Sequence, residues 1–147
     1  MLNVKRLSLE DADILIRGAW AKAQEIGVAM CIAVTDEAGY LIAFKRMDGG
    51  KQLSTTLAQD KAFTAAISKK PTADYNASSV PGSLGFGIQQ AASGRFSTVG
   101  GGVPEVVAGD VVGAIGLSGG APEQDMTCAD AGVSAFLDAQ TYSARFF

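Results

Sequence analysis

Apolar positions along the first third of the chain fall at helical and then at strand spacing. Ala12, Leu15, Ala19, Ala23 and Ile26 recur at steps of three and four, and Ile16 and Trp20 widen them into a stripe. Ser8 stands just before the stripe and Asp11 three residues later. In that arrangement each side chain can accept from the other's backbone N–H. Gly27 supplies a stop, so the run predicts an amphipathic helix of about five turns. Val28 to Thr35 is continuous, apolar and partly β-branched, which predicts a buried strand. Asp36-Glu37-Ala38-Gly39 then turns the chain into a second strand, Tyr40 to Arg46.

A second helix is predicted from a cap at Ser54 to about Lys69, before Pro71. Its inner face, Leu57, Ala58, Ala62, Ala65 and Ala66, is mostly alanine, which allows a close approach to a sheet. Between Pro71 and Phe96 the periodicity is broken by Pro81, Gly82, Gly85, Gly87 and Gly94. Helical turns are predicted at Thr72–Asn76 and Phe86–Ala92, and a short strand at Ser97–Val99. Val103–Ala108 and Val111–Ser118 read as a hairpin closed at Ala108-Gly109-Asp110. Pro122 suits the first turn of a last helix with a core stripe of Met126, Ala129, Val133, Phe136 and Leu137. The aromatic tail from Tyr142 to Phe147 is available to cover the domain or a neighbouring subunit. This order predicts an α+β domain spanning residues 1–147, with a mainly antiparallel sheet of about five strands and helices on both faces.

Composition narrows the chemistry. The chain has 147 residues, 48% hydrophobic and 18% charged, which is enough apolar content for a core without metal or disulfide. Net charge is −3 and the basic residues are scattered, so no nucleic-acid footprint is present. No apolar run reaches membrane-spanning length and no secretory leader is visible, which predicts a cytoplasmic protein. Cys31 and Cys128 lie far apart in apolar surroundings and read as buried thiols. Histidine is absent, which removes the commonest general base and the commonest haem or metal ligand.

The candidate site gathers around two glycine loops, Gly100-Gly101-Gly102 and Ser118-Gly119-Gly120, the second of which opens a helix. Two readings stand. The loops cradle an anionic ligand with backbone N–H groups, or they only allow tight packing. Arg46, with its planar fork, can clamp a carboxylate or a phosphate. Lys61, Asp48 and Glu105 are the candidate catalytic groups, with Glu105 the first choice of general base. Asp125, in the first turn of the last helix, adds polarity but also offsets that helix's attraction for anions.

With these segments in place, the chain resembles the GlcG/HbpS-like haem-degrading family, which includes the C-terminal domain of PduO-type cobalamin adenosyltransferases. The matching stretches are Val34-Thr35-Asp36-Glu37-Ala38-Gly39, Arg46-Met47-Asp48-Gly49, Lys61-Ala62 and Gly101-Gly102-Val103-Pro104. They continue with Val112-Gly113-Ala114-Ile115-Gly116-Leu117-Ser118-Gly119-Gly120 and Glu123-Gln124-Asp125. The resemblance implies a profilin-like fold, homo-oligomers and, for some members, haem binding or degradation. Two functions follow as expectations. One is binding or processing of a small hydroxy- or oxo-acid in a catabolic pathway, with acid–base chemistry. The other is a non-catalytic haem- or corrinoid-binding or sensing protein. Whether the chain is an enzyme stays open, and haem is the one cofactor in view. Its available ligand types are Met47, Met126, Tyr75, Lys61 and the two cysteines.

Overall fold

The computed structural model describes residues 1–146. The elements run α1 (Leu9–Ile26), β1 (Cys31–Asp36), β2 (Leu41–Arg46) and α2 (Gln52–Ser68). A crossover of three 3-10 turns follows (Thr72–Tyr75, Ala77–Ser79, Ile88–Gln90), then a single turn α3 (Ala91–Gly94). The chain ends with β3 (Gly102–Val107), β4 (Asp110–Ser118) and α4 (Pro122–Phe146).

The first helix forms as its caps dictate. The Asp11 N–H donates to Ser8 Oγ at 3.1 Å, and the Ser8 N–H donates to Asp11 Oδ2 at 2.8 Å. Gly27 closes the helix with φ 72°. Removing the hydroxyl in Ser8→Ala is expected to cost about 1 kcal/mol. The check is a shift in the urea midpoint at unchanged m-value.

Four strands make one antiparallel sheet in the order β2-β1-β4-β3. Each hairpin is local, and the two hairpins join through the β1–β4 pair at the centre. Every residue of β1 is buried, because helices cover both faces of the sheet. Ile32 and Val34 join the core formed with α1 and α4, while Cys31 and Ala33 face the alanines Ala58 and Ala62 of α2. Gly116 on β4 lets α2 sit close: a Cβ there would overlap the backbone of Ala58 and Ala62. The alanine-rich face of α2 and the glycine of β4 thus fit each other.

Some sequence expectations need correction. The sheet has four strands, because Ser97–Val99 is not one. Its backbone groups are taken by side chains instead. Ser97 N–H donates to Thr64 Oγ1 at 2.9 Å, Asn76 Nδ2 donates to Thr98 O at 3.3 Å, and Thr72 Oγ1 donates to Val99 O at 2.6 Å. Ser54 does not cap α2. The helix starts earlier, after an extended Lys51, and the Ser54 hydroxyl lies inside it against Ser118 Oγ at 3.2 Å. In α4 the buried face is Asp125, Cys128, Ala129, Gly132 and Phe136, so Met126 and Leu137 of the expected stripe are turned outward. Tyr142 to Phe146 continue α4, with Tyr142 and Phe146 exposed, and Phe147 lies outside the described residues. No helix among the described residues is long and apolar enough to cross a membrane.

Candidate functional site

The two glycine loops meet over a buried ion pair. Leu117 N–H donates to Gly101 O at 2.9 Å, which ties the first loop to the end of β4. Beneath it, Lys61 of α2 is 2% exposed. Its ammonium donates to Leu117 O at 3.0 Å and to Asp125 Oδ2 at 2.9 Å. Asp125 Oδ1 accepts from the Gly120 N–H at 3.0 Å, so the second loop is tied to the same carboxylate. Burial pushes the Asp125 carboxyl up from its ordinary range, opposed by the Gly120 N–H and by Lys61. Gly101, at φ 129°, closes the roof: a Cβ there would stand 2.6 Å from Leu117 O and 3.0 Å from Lys61 Nζ. The Gly102 N–H is taken by Thr72 Oγ1 at 3.0 Å. The protein's own groups therefore occupy these loop donors, with Asp125 in the position of an anion. Lys61 pairs with Asp125, and neither Arg46 nor Asp48 enters an ion pair among the described residues.

Arg46 and Asp48 stand elsewhere. Arg46 is the last residue of β2, an edge strand, and both side chains are exposed. In register, Arg46 sits opposite Cys31, and Cys31 sits opposite Ser118. Glu105 lies on β3, at the other edge of the sheet. The sheet order thus separates Arg46 and Asp48 from Glu105 by two strands.

Glu105 is 1% exposed, and neither carboxyl oxygen has a hydrogen-bond partner. Strand alternation puts it on the same face as Val103 and Val107, both of which join the core shared with α1 and α4. Opposite it in the ladder is Gly113. Loss of water, and then the nearby charge of Asp130, push the Glu105 carboxyl up to about 8, so it carries its proton at neutral pH. Burial likewise raises Asp130. A cavity of about 210 Å³ is lined by Asp74, Gly101, Val103, Met126 and Asp130 among others; Glu105 is not part of its lining. These carboxyls would repel a hydroxy- or oxo-acid. Asp130 is not among the residues that the sequence alone marks as site candidates. Its signal was available in retrospect, one helical turn after Met126 and on the same side of α4.

The groups able to hold haem iron divide by exposure. Cys31 and Cys128 are fully buried, and burial pushes both thiols up, Cys128 to about 11, so neither offers a thiolate. Lys61 is committed to Asp125. Met126 is partly exposed, but its cavity is rimmed by Asp74 and Asp130, which oppose haem's propionates. In sequence, Tyr40 marks only the start of the second strand. It is 75% exposed and lines a groove of about 430 Å³ with Thr35, Leu41, Thr56, Gln59 and Arg95. Arg95 gives its Nε to Asp60 at 3.0 Å and lies over the Phe63 ring. Its remaining nitrogens make no other ion pair among the described residues. A phenol oxygen and a guanidinium in one groove fit haem in kind: an oxygen ligand for ferric iron and a cation for a propionate.

Comparison with known proteins places the fold among relatives of known structure. The chain is 32% identical over 136 residues to the 15.0 kDa protein of the dhaT-dhaS intergenic region of Citrobacter freundii, covering 92% of this chain and 96% of that one. The crystal structure of the Klebsiella pneumoniae protein ORFY superposes with a TM-score of 0.91 at 31% identity, over 92% of this chain and 94% of that one. The PduOC:heme complex superposes with a TM-score of 0.85 at 32% identity, over 88% and 94%. The family model described as haem degrading protein HbpS-like matches residues 7–134. The chain therefore belongs to the HbpS-like family of haem-degrading proteins.

Proposed function

We propose that this chain is a haem-binding protein, with Tyr40 as the iron ligand and Arg95 as the propionate contact. The observation that carries the reading is its likeness to a relative crystallised with haem, over 88% of the chain at a TM-score of 0.85. Without histidine, an exposed oxygen ligand is the available substitute, and Tyr40 is the phenol that shares a groove with a free-ended guanidinium. Bound haem would supply redox and oxygen chemistry. The chain's own part is to place the phenol oxygen, hold the propionate and shield one face of the macrocycle with Leu41 and the Thr56–Gln59 turn of α2. Thr35, Thr56 and Gln59 give that groove polar walls.

The groove is open, so it covers only one face of a flat ligand. We infer that a second copy covers the other, in a homo-oligomer. Exposed apolar side chains support this reading: Val80, Leu84 and Phe86 on the crossover, and Leu137, Tyr142 and Phe146 on α4.

Haemin titration tests the proposal. A saturable change in the Soret and charge-transfer bands is expected at one haem per chain. In Tyr40→Phe the charge-transfer band of phenolate-bound ferric iron should vanish, with affinity down about tenfold, about 1.4 kcal/mol. An unchanged spectrum in Tyr40→Phe would sink the assignment of the ligand, and the absence of any saturable band in the parent chain would sink haem binding itself.

A further inference from the structure

We propose that the groove between α1 and the edge strand β2 binds a small aromatic carboxylate, with its ring against Trp20 and its carboxylate on Arg17 and Lys45. The groove shares no residue with the one that holds Tyr40, so the proposal does not rest on haem binding.

The groove has a volume of about 380 Å³, within the range of roughly 300–1,000 Å³ for small-molecule sites. α1 builds its floor. Ile16, Trp20 and Gln24 follow one another at four-residue steps, and Arg17 and Ala21 lie beside them, so these residues share one helix face. β2 supplies the other wall through Lys45. In register Lys45 stands opposite Ile32, whose side chain joins the core with α1, so both project on the helix side of the sheet.

Two observations set the chemistry of the ligand. The first is an accessible indole. Trp20 packs against the core yet is only half-buried, and its remaining surface lines the groove. A planar ring can lie on such a surface. The second is unpaired positive charge. Arg17 and Lys45 are exposed, and neither enters an ion pair among the described residues. The Lys45 ammonium stands 5.7 Å from the centre of the Trp20 ring, so a cation is already held over the aromatic wall. No carboxylate among the described residues lines the groove. The chain as a whole carries a net charge of −3, so these two cations run against its balance and complement an anion.

The two features act together. Inorganic phosphate would use the charges and leave Ile16, Trp20 and Ala21 uncovered. A neutral aromatic would cover that apolar wall and leave both cations without a partner. An aromatic carboxylate satisfies both. The planar Arg17 fork donates to the carboxylate oxygens. Lys45 adds a point charge, and its flexible stem lets the ammonium move from the indole to the ligand.

Trp20 is the chain's single tryptophan, so one indole N–H signal in a nitrogen-edited NMR spectrum reports on the groove. Titration of the full chain with sodium phenylacetate should move that signal to saturation, and calorimetry should give one site per chain. Binding should weaken as salt is raised. Sodium acetate and the neutral phenylacetamide should each leave the signal near its starting position. Lys45→Gln and Arg17→Gln, both at exposed positions outside the core, should each weaken binding about threefold to tenfold. The proposal is overturned by the absence of a saturable shift, by an equal shift with phenylacetamide, or by unchanged affinity in both variants. An indole signal that moves with protein concentration alone also overturns it, by giving the groove to a second copy. So does displacement of phenylacetate by one equivalent of haemin in Tyr40→Phe, which would put haem in this groove.

Discussion

Asp125→Ala is expected to lower the unfolding free energy by about 3 to 5 kcal/mol, the largest loss from any single side chain described above. The cause is the charge left behind. Lys61 is 2% exposed and donates to two acceptors, Leu117 O and Asp125 Oδ2. Removing the carboxylate leaves an ammonium in the interior with one carbonyl for company, and it also strands the Gly120 N–H. Replacing both ends tells a different story. A Lys61→Met, Asp125→Asn double variant removes the buried charges together and keeps an acceptor for Gly120. It should recover most of the loss, because a buried pair exchanged for a neutral one of similar volume is often close to neutral in stability. Urea unfolding of Lys61→Met, Asp125→Asn and the double variant gives the coupling energy. Losses that simply add would mean that Lys61 is stabilised by something other than Asp125.

The second large effect is a pH dependence that Glu105→Gln should remove. The Glu105 carboxyl is pushed up from 4.5 to about 8 in the folded chain, by burial first and Asp130 second. The folded state therefore holds this proton more tightly than the unfolded state does. The stabilisation is complete below pH 4.5 and is lost progressively as pH rises through about 8. At one unit per 1.36 kcal/mol, the loss amounts to about 3 kcal/mol by pH 7 and about 5 kcal/mol above the folded value. Glutamine has the same shape but no titration. Its amide brings donors of its own into the core, so the slope is the informative quantity, not the stability at any one pH. Chemical denaturation from pH 4.5 to 9 should show the parent chain declining relative to the variant. Asp125 is also raised by burial and titrates in both proteins, so the difference between them reports Glu105 together with its coupling to Asp130. Parallel profiles would show that water or a partner already satisfies this carboxyl.

Much of the fold was legible because its signals are local. Ser8 and Asp11 stand three residues apart and make the cap that their spacing describes. The alanines of α2 announce a close helix–sheet contact, and Gly116 on β4 answers it from the other side. Glu105 was singled out, and its alternation with Val103 and Val107 was visible. What alternation leaves open is whether that face is covered, and α4 settles this from well downstream. The phase of α4 illustrates the same difficulty. Ala129, Val133 and Phe136 of the expected stripe face the core, but Met126 and Leu137 turn outward while Asp125, Cys128 and Gly132 are buried. Hydropathy alone does not announce a buried Asp125, whose partner Lys61 lies on another helix. Arg46 and Asp48 lie on the side of the second glycine loop, since Arg46 pairs with Cys31 and Cys31 with Ser118. Sheet order places them on the opposite edge from Glu105. Tyr40 gave no signal beyond its place at the start of a strand, since a groove shared with Arg95 exists only once the crossover has returned to α2.

The central β1–β4 pair also sets how the chain must assemble. Each hairpin closes over a short turn, and such closures take microseconds. Thr35 meets Ala114 only after α2 and the whole crossover have been looped out. The entropy of that long loop must be surrendered before the central ladder returns any of it. Folding speed is therefore governed by the meeting of two preformed hairpins. Interactions at their seam shape the barrier, while Ser8 and other local caps act mainly on the rate of unfolding.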